Sequence, residues 1–269
     1  MFSFIVNSKD DLKLSRLKKS IDCVMHDSPW ELIRIQDAKG MCEGYNRGIL
    51  KSSGDHLIFI HDDIEFVSKD IRPALKYSFE NSDVFGVLGT RLALGLNFTR
   101  AGLPNVVGLF IEKNSNETYE IMVAGVDGIL MHGIQALDGV LIGCHKHVAE
   151  NLKWDEINFV GWHGYDVDFS YRAHMGGYRV AVCAFLPIYH YTNGSFGDSA
   201  FMDFESVFDR KFPQLKQFNH QIIENTGLRY PGYNDFNQIT NDLANNFEKI
   251  MTDCAKHRYV KLADNLKFS

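Results

Sequence analysis

The sequence predicts an α/β domain with a mainly parallel central sheet flanked by helices, followed by a helical C-terminal extension. Three observations support this prediction. Short apolar runs alternate with helix-like segments over roughly the first 90 residues, 45% of the 269 residues are hydrophobic, and the character of the chain changes after residue 198. Alternating strands and helices favour parallel strands with helices on both faces. The length is typical of one large domain or of one domain with an extension, here residues 1–198 and 199–269.

The first part of the chain predicts the order β-α-β-α-β-α-β. The strand candidates are short apolar runs. The first helix has apolar residues at near-helical spacing, with Ser8 or Asp10 as a cap. A proline, Pro73, is tolerated only near the start of the third helix. The predicted strands are Phe2–Val6, Glu31–Ile35, Leu57–Ile60 and Val84–Leu88, and the predicted helices are Asp10–Cys23, Glu43–Lys51 and Lys69–Glu80.

The later elements are less regular. A hairpin is predicted from two apolar strands on either side of the polar turn 114–116, and two further strands and two helices follow it. These segments are Val106–Glu112 and Tyr119–Val123 for the hairpin, Gln135–Gly143 and Tyr178–Ala184 for the strands, and His147–Leu152 and Tyr165–His174 for the helices. Residues 199–269 are amphipathic and rich in Phe, Asn and Lys, which predicts two or three helices.

Charge and cysteine usage narrow the classes of function. The chain has 28 Lys and Arg against 34 Asp and Glu, a net charge of −6. A dedicated nucleic-acid binder would need a basic face, so we expect no nucleic-acid partner. We see no signal peptide and no apolar run of transmembrane length. Five cysteines without a C-x-x-C pair are typical of reduced thiols, and we expect a cytoplasmic protein.

A helix-turn-strand segment ends in three polar residues, two of which are adjacent carboxylates that a cation can join. The apolar strand Leu57–Ile60 leads directly into His61, Asp62 and Asp63. Ligands of open α/β sheets bind at the carboxyl ends of strands, and adjacent carboxylates repel each other unless a cation joins them. Mg²⁺ or Mn²⁺ suits such oxygen ligands and leaves positions for substrate phosphates. The alternative is a polar loop that caps the next helix.

This segment resembles family-two glycosyltransferases of the GT-A fold. The resemblance is carried by Tyr45-Asn46-Arg47-Gly48, Ser53-Gly54-Asp55 and Phe59-Ile60-His61-Asp62-Asp63, where His61 replaces a more usual aspartate. It is similar to a bacterial subgroup with an H-D-D motif. The resemblance implies that Asp63 binds the metal that bridges the donor diphosphate and that Asp62 lies near the ribose. It also implies a donor pocket lined by Asn7, Ser8, Asp37 and Asn46.

The second half of the resemblance concerns the acceptor side. Asp138-Gly139 resembles an acceptor-side segment of the family, and Gly161–Phe169 resembles an acidic segment at a helix N-terminus. Direct displacement at an anomeric carbon requires a base that takes the acceptor's proton. The resemblance assigns this role to Asp166. Asp168 is about 200° further around the helix, so both acids cannot face one site.

Each of these residues also has a structural interpretation. Asp138-Gly139 is a frequent β-turn pair, and acids at a helix start can simply complement the helix dipole. Trp162 and His163 are candidate sugar contacts, or alternatively pack within the loop. His190 follows a strand and resembles a histidine that completes the metal site in several GT-A enzymes, although a single histidine is more often structural. Gly194 and Ser195 are candidate phosphate contacts.

The sequence thus leads to the hypothesis of a metal-dependent glycosyltransferase, of hexosyltransferase type. The expected donor is a nucleotide sugar, with UDP favoured, and the expected acceptor is a glycan, a lipid-linked molecule or a protein. Single displacement with inversion is implied by the resemblance. Two alternatives stay open: a nucleotidyltransferase acting on sugar phosphates, and a binding module for sugar nucleotides or glycans that has lost catalysis.

Overall fold

The computed structural model describes residues 1–113, 118–191, 199–217 and 228–235, and thereafter only residues 237–239, 241–243, 245 and 249. The α-helices are α1 (Asp11–Met25), α2 (Met41–Lys51), α3 (Arg72–Asn81), α4 (Lys146–Leu152), α5 (Tyr165–Met175) and α6 (Ser199–Lys211). The strands are β1 (Phe2–Asn7), β2 (Trp30–Ile35), β3 (His56–Ile60), β4 (Ile64–Phe66), β5 (Val84–Gly86), β6 (Leu88–Thr90), β7 (Val106–Lys113), β8 (Tyr119–Ala124), β9 (Leu130–His132), β10 (Ala136–Leu137), β11 (Leu141–His145), β12 (Val180–Cys183), β13 (Ile188–His190) and β14 (Leu228–Tyr233).

The predicted alternation of strands and helices in the first part of the chain is confirmed. Helix α1 begins after Asp10, whose carboxylate accepts hydrogen bonds from the backbone N–H groups of Leu12 and Lys13. Helix α3 has its proline in the first turn, where no backbone N–H is needed. The predicted helix Lys69–Glu80 therefore starts at Arg72, close to that proline.

The central sheet is mixed. Its seven strands follow the order β2-β1-β3-β11-β5-β12-β9. Strand β1 pairs in parallel with both β2 and β3, and β12 pairs in parallel with β5. Strand β11 runs antiparallel between β3 and β5, and β9 is antiparallel to β12. Strand order is a property of tertiary pairing, so the element sequence could not reveal the inserted antiparallel strand.

Two predicted strands are each divided in two. The segment 84–88 changes sheets at Val87, and the segment 135–143 is interrupted between β10 and β11. The second half of the first segment, β6, and the first half of the second segment, β10, belong to a second sheet, in which β10, β6, β7, β13 and β4 are neighbours. The predicted hairpin is confirmed as the antiparallel pair β7–β8, with residues 114–117 of its turn outside the described residues. The interruption places Asp138 and Gly139 in a link between the two sheets.

Side chains alternate between two apolar layers on the faces of the central sheet. Phe4 and Val6 belong to a cluster with α1 and α3, whereas Ile5 belongs to a larger cluster with α2, α4 and α5. This alternation follows from the two-residue period of a strand. The helices thereby cover both faces of the central sheet.

The described part of the region 199–269 packs on this framework. Helix α6 contributes Phe201 and Phe208 to the larger core cluster, and strand β14 pairs with β8. The boundary after residue 198 and the helical extension stay predictions, because most residues beyond 217 lie outside the described ranges. Among the described residues, no helix is both long and apolar enough to cross a membrane.

Candidate active site and metal centre

The candidate site lies where strand ends from both sheets meet the start of α5. His61 and Asp63 follow β3, and His190 ends β13. Asp138 and Gly139 form the link between β10 and β11, and Tyr165 begins α5. These segments are far apart in sequence, so the fold assembles the site from four separate stretches.

Three of these side chains form a compact set of metal-binding atoms. His190 Nε2 lies 3.1 Å from Asp63 Oδ1, and His61 Nδ1 lies 3.5 Å from His190 Nε2. His61 Nδ1 lies 4.0 Å from Asp63 Oδ1. All three ligand atoms are within 4.8 Å of one another.

These separations fit a bound divalent cation. Two ligand atoms that each lie about 2.1 Å from a transition metal can be no more than about 4.2 Å apart, and the three observed separations meet that limit. Two imidazoles and one carboxylate suit a first-row transition ion better than Mg²⁺, which prefers oxygen ligands and bound water. The residues present therefore fit a divalent transition-metal ion.

Tyr165 orients His61 toward this centre. Its hydroxyl lies 2.6 Å from His61 Nε2, on the opposite side of the ring from the Nδ1 atom that faces Asp63 and His190. Such a contact beyond the ligands fixes the tautomer and orientation of a metal-binding histidine. Burial and the neighbouring His190 lower the pKa of His61 to about 4, so the imidazole is neutral, as metal binding requires.

Gly139 makes room for that tyrosine. A Cβ atom at Gly139 would lie 2.0 Å from the Tyr165 hydroxyl oxygen and 2.5 Å from Cζ. Both distances are far below van der Waals contact, and the tyrosine tip cannot move without leaving His61. Only glycine therefore permits the observed contact between Tyr165 and His61.

Asp138 and Asp166 are the two aspartates of the site. Asp166 Oδ2 accepts a hydrogen bond of 2.8 Å from the backbone N–H of Gly139, and Asp138 Oδ1 accepts one of 2.9 Å from Val140. Burial, together with the charge of Asp138, raises the pKa of Asp166 to about 7. Burial also raises the pKa of Asp138. A carboxylate with a pKa near neutrality is suited to accept and release protons.

Asp168 faces away from these groups. It is fully buried and pairs with Arg172 at 2.8 Å and Lys211 at 2.5 Å. The contact to Lys211 ties α5 to the end of α6. Its role is therefore structural, in keeping with its angular offset from Asp166 on the helix.

A cavity of about 660 Å³ joins the metal-binding set to the two acids. His61, His190, Asp138 and Asp166 line it, as do the predicted sugar contacts Trp162 and His163. The Trp162 side chain is half exposed, and the His163 ring lies near Phe201 of α6. The volume is in the range of sites that bind small molecules.

The predicted donor residues Ser8, Asp37 and Asp62 follow strands β1, β2 and β3, and their surroundings differ. Asp62 and Asp63 each lie 3.7 Å from Lys13 Nζ of α1. Asp37 is exposed, and its hydrogen bond with Arg47 lowers the pKa of the carboxyl group. Ser8 is buried, and its hydroxyl donates to the backbone carbonyl of Asp10.

The two asparagines of the predicted donor pocket are engaged in packing. The Asn7 amide donates to the Met41 carbonyl at 3.2 Å. Asn46 binds the backbone of Trp154 through both amide atoms, at 2.9 and 3.0 Å. Its donor contact stays a prediction, and the structure does not bring Asn46 to the cavity.

The structure thus brings Asp63, His190, Asp138, Asp166, Trp162 and His163 to one region. It adds His61, Tyr165 and Lys13, which the sequence did not single out as site residues. The His61-x-Asp63 spacing was a usable signal, since residues two apart after a strand can face the same way. Tyr165 and Lys13 have no comparable signal. Gly194 and Ser195 lie outside the described residues.

Comparison with known proteins gives one family match. Residues 3–207 match the model of a family described as "Glycosyltransferase like family". No curated protein matches the sequence significantly.

Three solved structures illustrate the similarity in fold. GalNAc-T7, crystallised with UDP, GalNAc and Mn²⁺, aligns with a TM-score of 0.50 and 14% identity over 95% of this chain and 56% of that one. A197 from STIV aligns with a TM-score of 0.42 and 12% identity over 71% and 86%. TarS from S. aureus gives 0.45 and 16% over 71% and 36%. The family match and the GalNAc-T7 alignment confirm the predicted α/β fold of GT-A type, and this chain spans about half of GalNAc-T7.

Proposed function

The chain belongs to the glycosyltransferase-like family, and from that membership we propose that it transfers a hexose from a UDP-sugar in a reaction that depends on Mn²⁺. The observation that carries the proposal is the cluster of His61, Asp63 and His190, whose two histidines line the same cavity as Asp166. The GalNAc-T7 structure contains UDP and Mn²⁺ in its own right, which makes these the first ligands to test.

His61, Asp63 and His190 would hold the cation at the end of β3. A divalent cation there would supply a Lewis acid for the leaving diphosphate. Tyr165 keeps the His61 ring turned toward the centre through its 2.6 Å contact. Lys13 lies beside Asp62 and Asp63, where its ammonium group is placed to meet a phosphate oxygen.

Asp166 is the proposed general base. It lines the cavity, and its pKa of about 7 lets it take a proton from an acceptor hydroxyl near neutral pH. Asp138, Trp162 and His163 surround the same space and would contact the sugars. A single displacement assisted by Asp166 would invert the anomeric centre, as the family resemblance implies.

A cytoplasmic location belongs to the same proposal. Cys42, Cys144 and Cys183 are buried free thiols and Cys23 is an exposed one. Such usage is typical of a reducing compartment.

Donor turnover with and without Mn²⁺ tests the proposal. We expect Asp63→Ala to lose Mn²⁺-dependent UDP binding and to lower hydrolysis or transfer of a UDP-sugar on the order of 100-fold, since the metal supplies several kcal/mol of charge stabilisation. Asp22→Ala is the matched control, because Asp22 is an exposed aspartate of α1. Equal activity and equal UDP binding in Asp63→Ala and Asp22→Ala would refute the metal role.

A further inference from the structure

The cavity beside Asp166 has two chemically different groups of lining residues. One group is polar and consists of His61, His190, Asp138 and Asp166. A second group of lining residues comes from β7, which is the strand neighbour of β13, and from β8, the turn before β7 and the start of α6. Its side chains are apolar or aromatic and include Leu96, Phe98, Phe110, Met122 and Phe201.

The register of the hairpin explains why β7 and β8 present apolar side chains to the cavity together. Phe110 is directly opposite Met122, so the two side chains lie on one face of the hairpin. Met122 is buried and Phe110 is partly exposed. Aromatic rings such as Phe201 can pack against the C–H face of a sugar, whereas the aliphatic side chains of Leu96 and Met122 favour contact with an apolar group.

The charges of the lining are acidic. Asp138, Asp166 and Glu112 line the cavity, whereas no lysine or arginine does so among the described residues. An acceptor phosphate in this space would have no lysine or arginine as a partner among the described residues, since the proposed metal ion would already bind the donor diphosphate. Both desolvation and like-charge repulsion oppose such binding.

We propose that the acceptor is an uncharged molecule in which the attacking hydroxyl group is joined to an apolar group that binds against Phe110 and Met122. This inference rests on the proposed function and narrows its acceptor class. It favours a glycoside with a neutral apolar aglycone over an acceptor linked to lipid phosphate. The hydroxyl would face Asp166 while the apolar group contacts Phe110 and Met122.

Binding of neutral and anionic probes tests this inference without turnover. The neutral fluorophore N-phenyl-1-naphthylamine reports occupancy of the cavity, and hexyl, heptyl and octyl β-D-glucosides displace it below their micelle concentrations. We expect each added methylene to tighten displacement about fourfold. Octyl phosphate is the anionic comparator, and we expect it to displace the fluorophore far more weakly than octyl glucoside.

Substitutions locate the binding. We expect Phe110→Ser to weaken fluorophore and octyl glucoside binding at least about tenfold, and Met122→Ser to act in the same direction. Phe185→Ser is the matched control, since Phe185 is an exposed phenylalanine outside the cavity lining. We expect Asp166→Asn to tighten octyl phosphate binding by removing a negative charge. Circular dichroism establishes that each variant is folded.

Three outcomes would overturn the proposal: no fluorophore binding by the folded wild type, equal losses in Phe110→Ser and Phe185→Ser, or tighter binding of octyl phosphate than of octyl glucoside. Failure of the proposed function would instead appear as absent UDP and Mn²⁺ binding in the same wild-type sample. The two failures are therefore distinguishable.

Discussion

Replacing Tyr165 by phenylalanine would isolate the contribution of one hydroxyl group to the metal centre. The ring would keep its contacts with Tyr45 and Trp154, whose centroids lie 5.9 and 5.8 Å away. What disappears is the 2.6 Å contact to His61 Nε2. A polar atom left unsatisfied in a buried site costs about 1–3 kcal/mol, and loss of such a contact lowers metal affinity about 10- to 100-fold.

Calorimetric titration with Mn²⁺ and a thermal unfolding scan measure the two effects. Tyr45→Phe is the matched control, because Tyr45 is a buried tyrosine whose hydroxyl donates to the backbone carbonyl of Ile60 at 3.4 Å rather than to a metal-binding side chain. We expect Tyr165→Phe to weaken Mn²⁺ binding at least about tenfold and Tyr45→Phe to leave it nearly unchanged. Equal Mn²⁺ affinities in the two variants would refute the orienting role of Tyr165.

Four further predictions concern the site and the helix that supports it. Transfer by the wild type should rise as pH increases through about 7, as Asp166 loses its proton; a flat pH profile would contradict this. Because the pKa of Asp166 is raised, its ionised form destabilises the folded protein above neutral pH. Asp166→Asn should abolish transfer, and it should raise the melting temperature more at pH 8 than at pH 5. Lys13→Met should tighten Mn²⁺ binding about fivefold, since a cation 3.7 Å from Asp63 is removed, and it should weaken UDP binding. Weaker Mn²⁺ binding together with tighter UDP binding in titrations would exclude our placement of Lys13. Asp168→Ala should lower the free energy of unfolding by about 3 kcal/mol, because Arg172 and Lys211 lose their buried partner; unchanged urea denaturation would count against it.

The local pattern of the sequence was sufficient to predict the strands and helices in the first part of the chain. Apolar runs of strand length, helical spacing and caps such as Asp10 are written in adjacent residues, so they could be identified without a structure. The resemblance then identified the fold class and the segments around Asp63 and Asp166. It did not identify Asn46 as a residue that binds the Trp154 backbone, since that contact joins residues more than 100 positions apart.

The metal-binding set shows why the rest of the site could be identified only from the tertiary structure. His61 and Asp63 are two residues apart, but His190 reaches them only because β13 pairs antiparallel with β4. Likewise, Tyr165 contacts His61 only because Gly139 has no side chain at the link between the sheets. The sequence by itself determined which chemical groups this protein possesses and which secondary structures carry them. The tertiary structure alone decided which groups meet, because the pairing of distant strands fixes distances that no local pattern encodes.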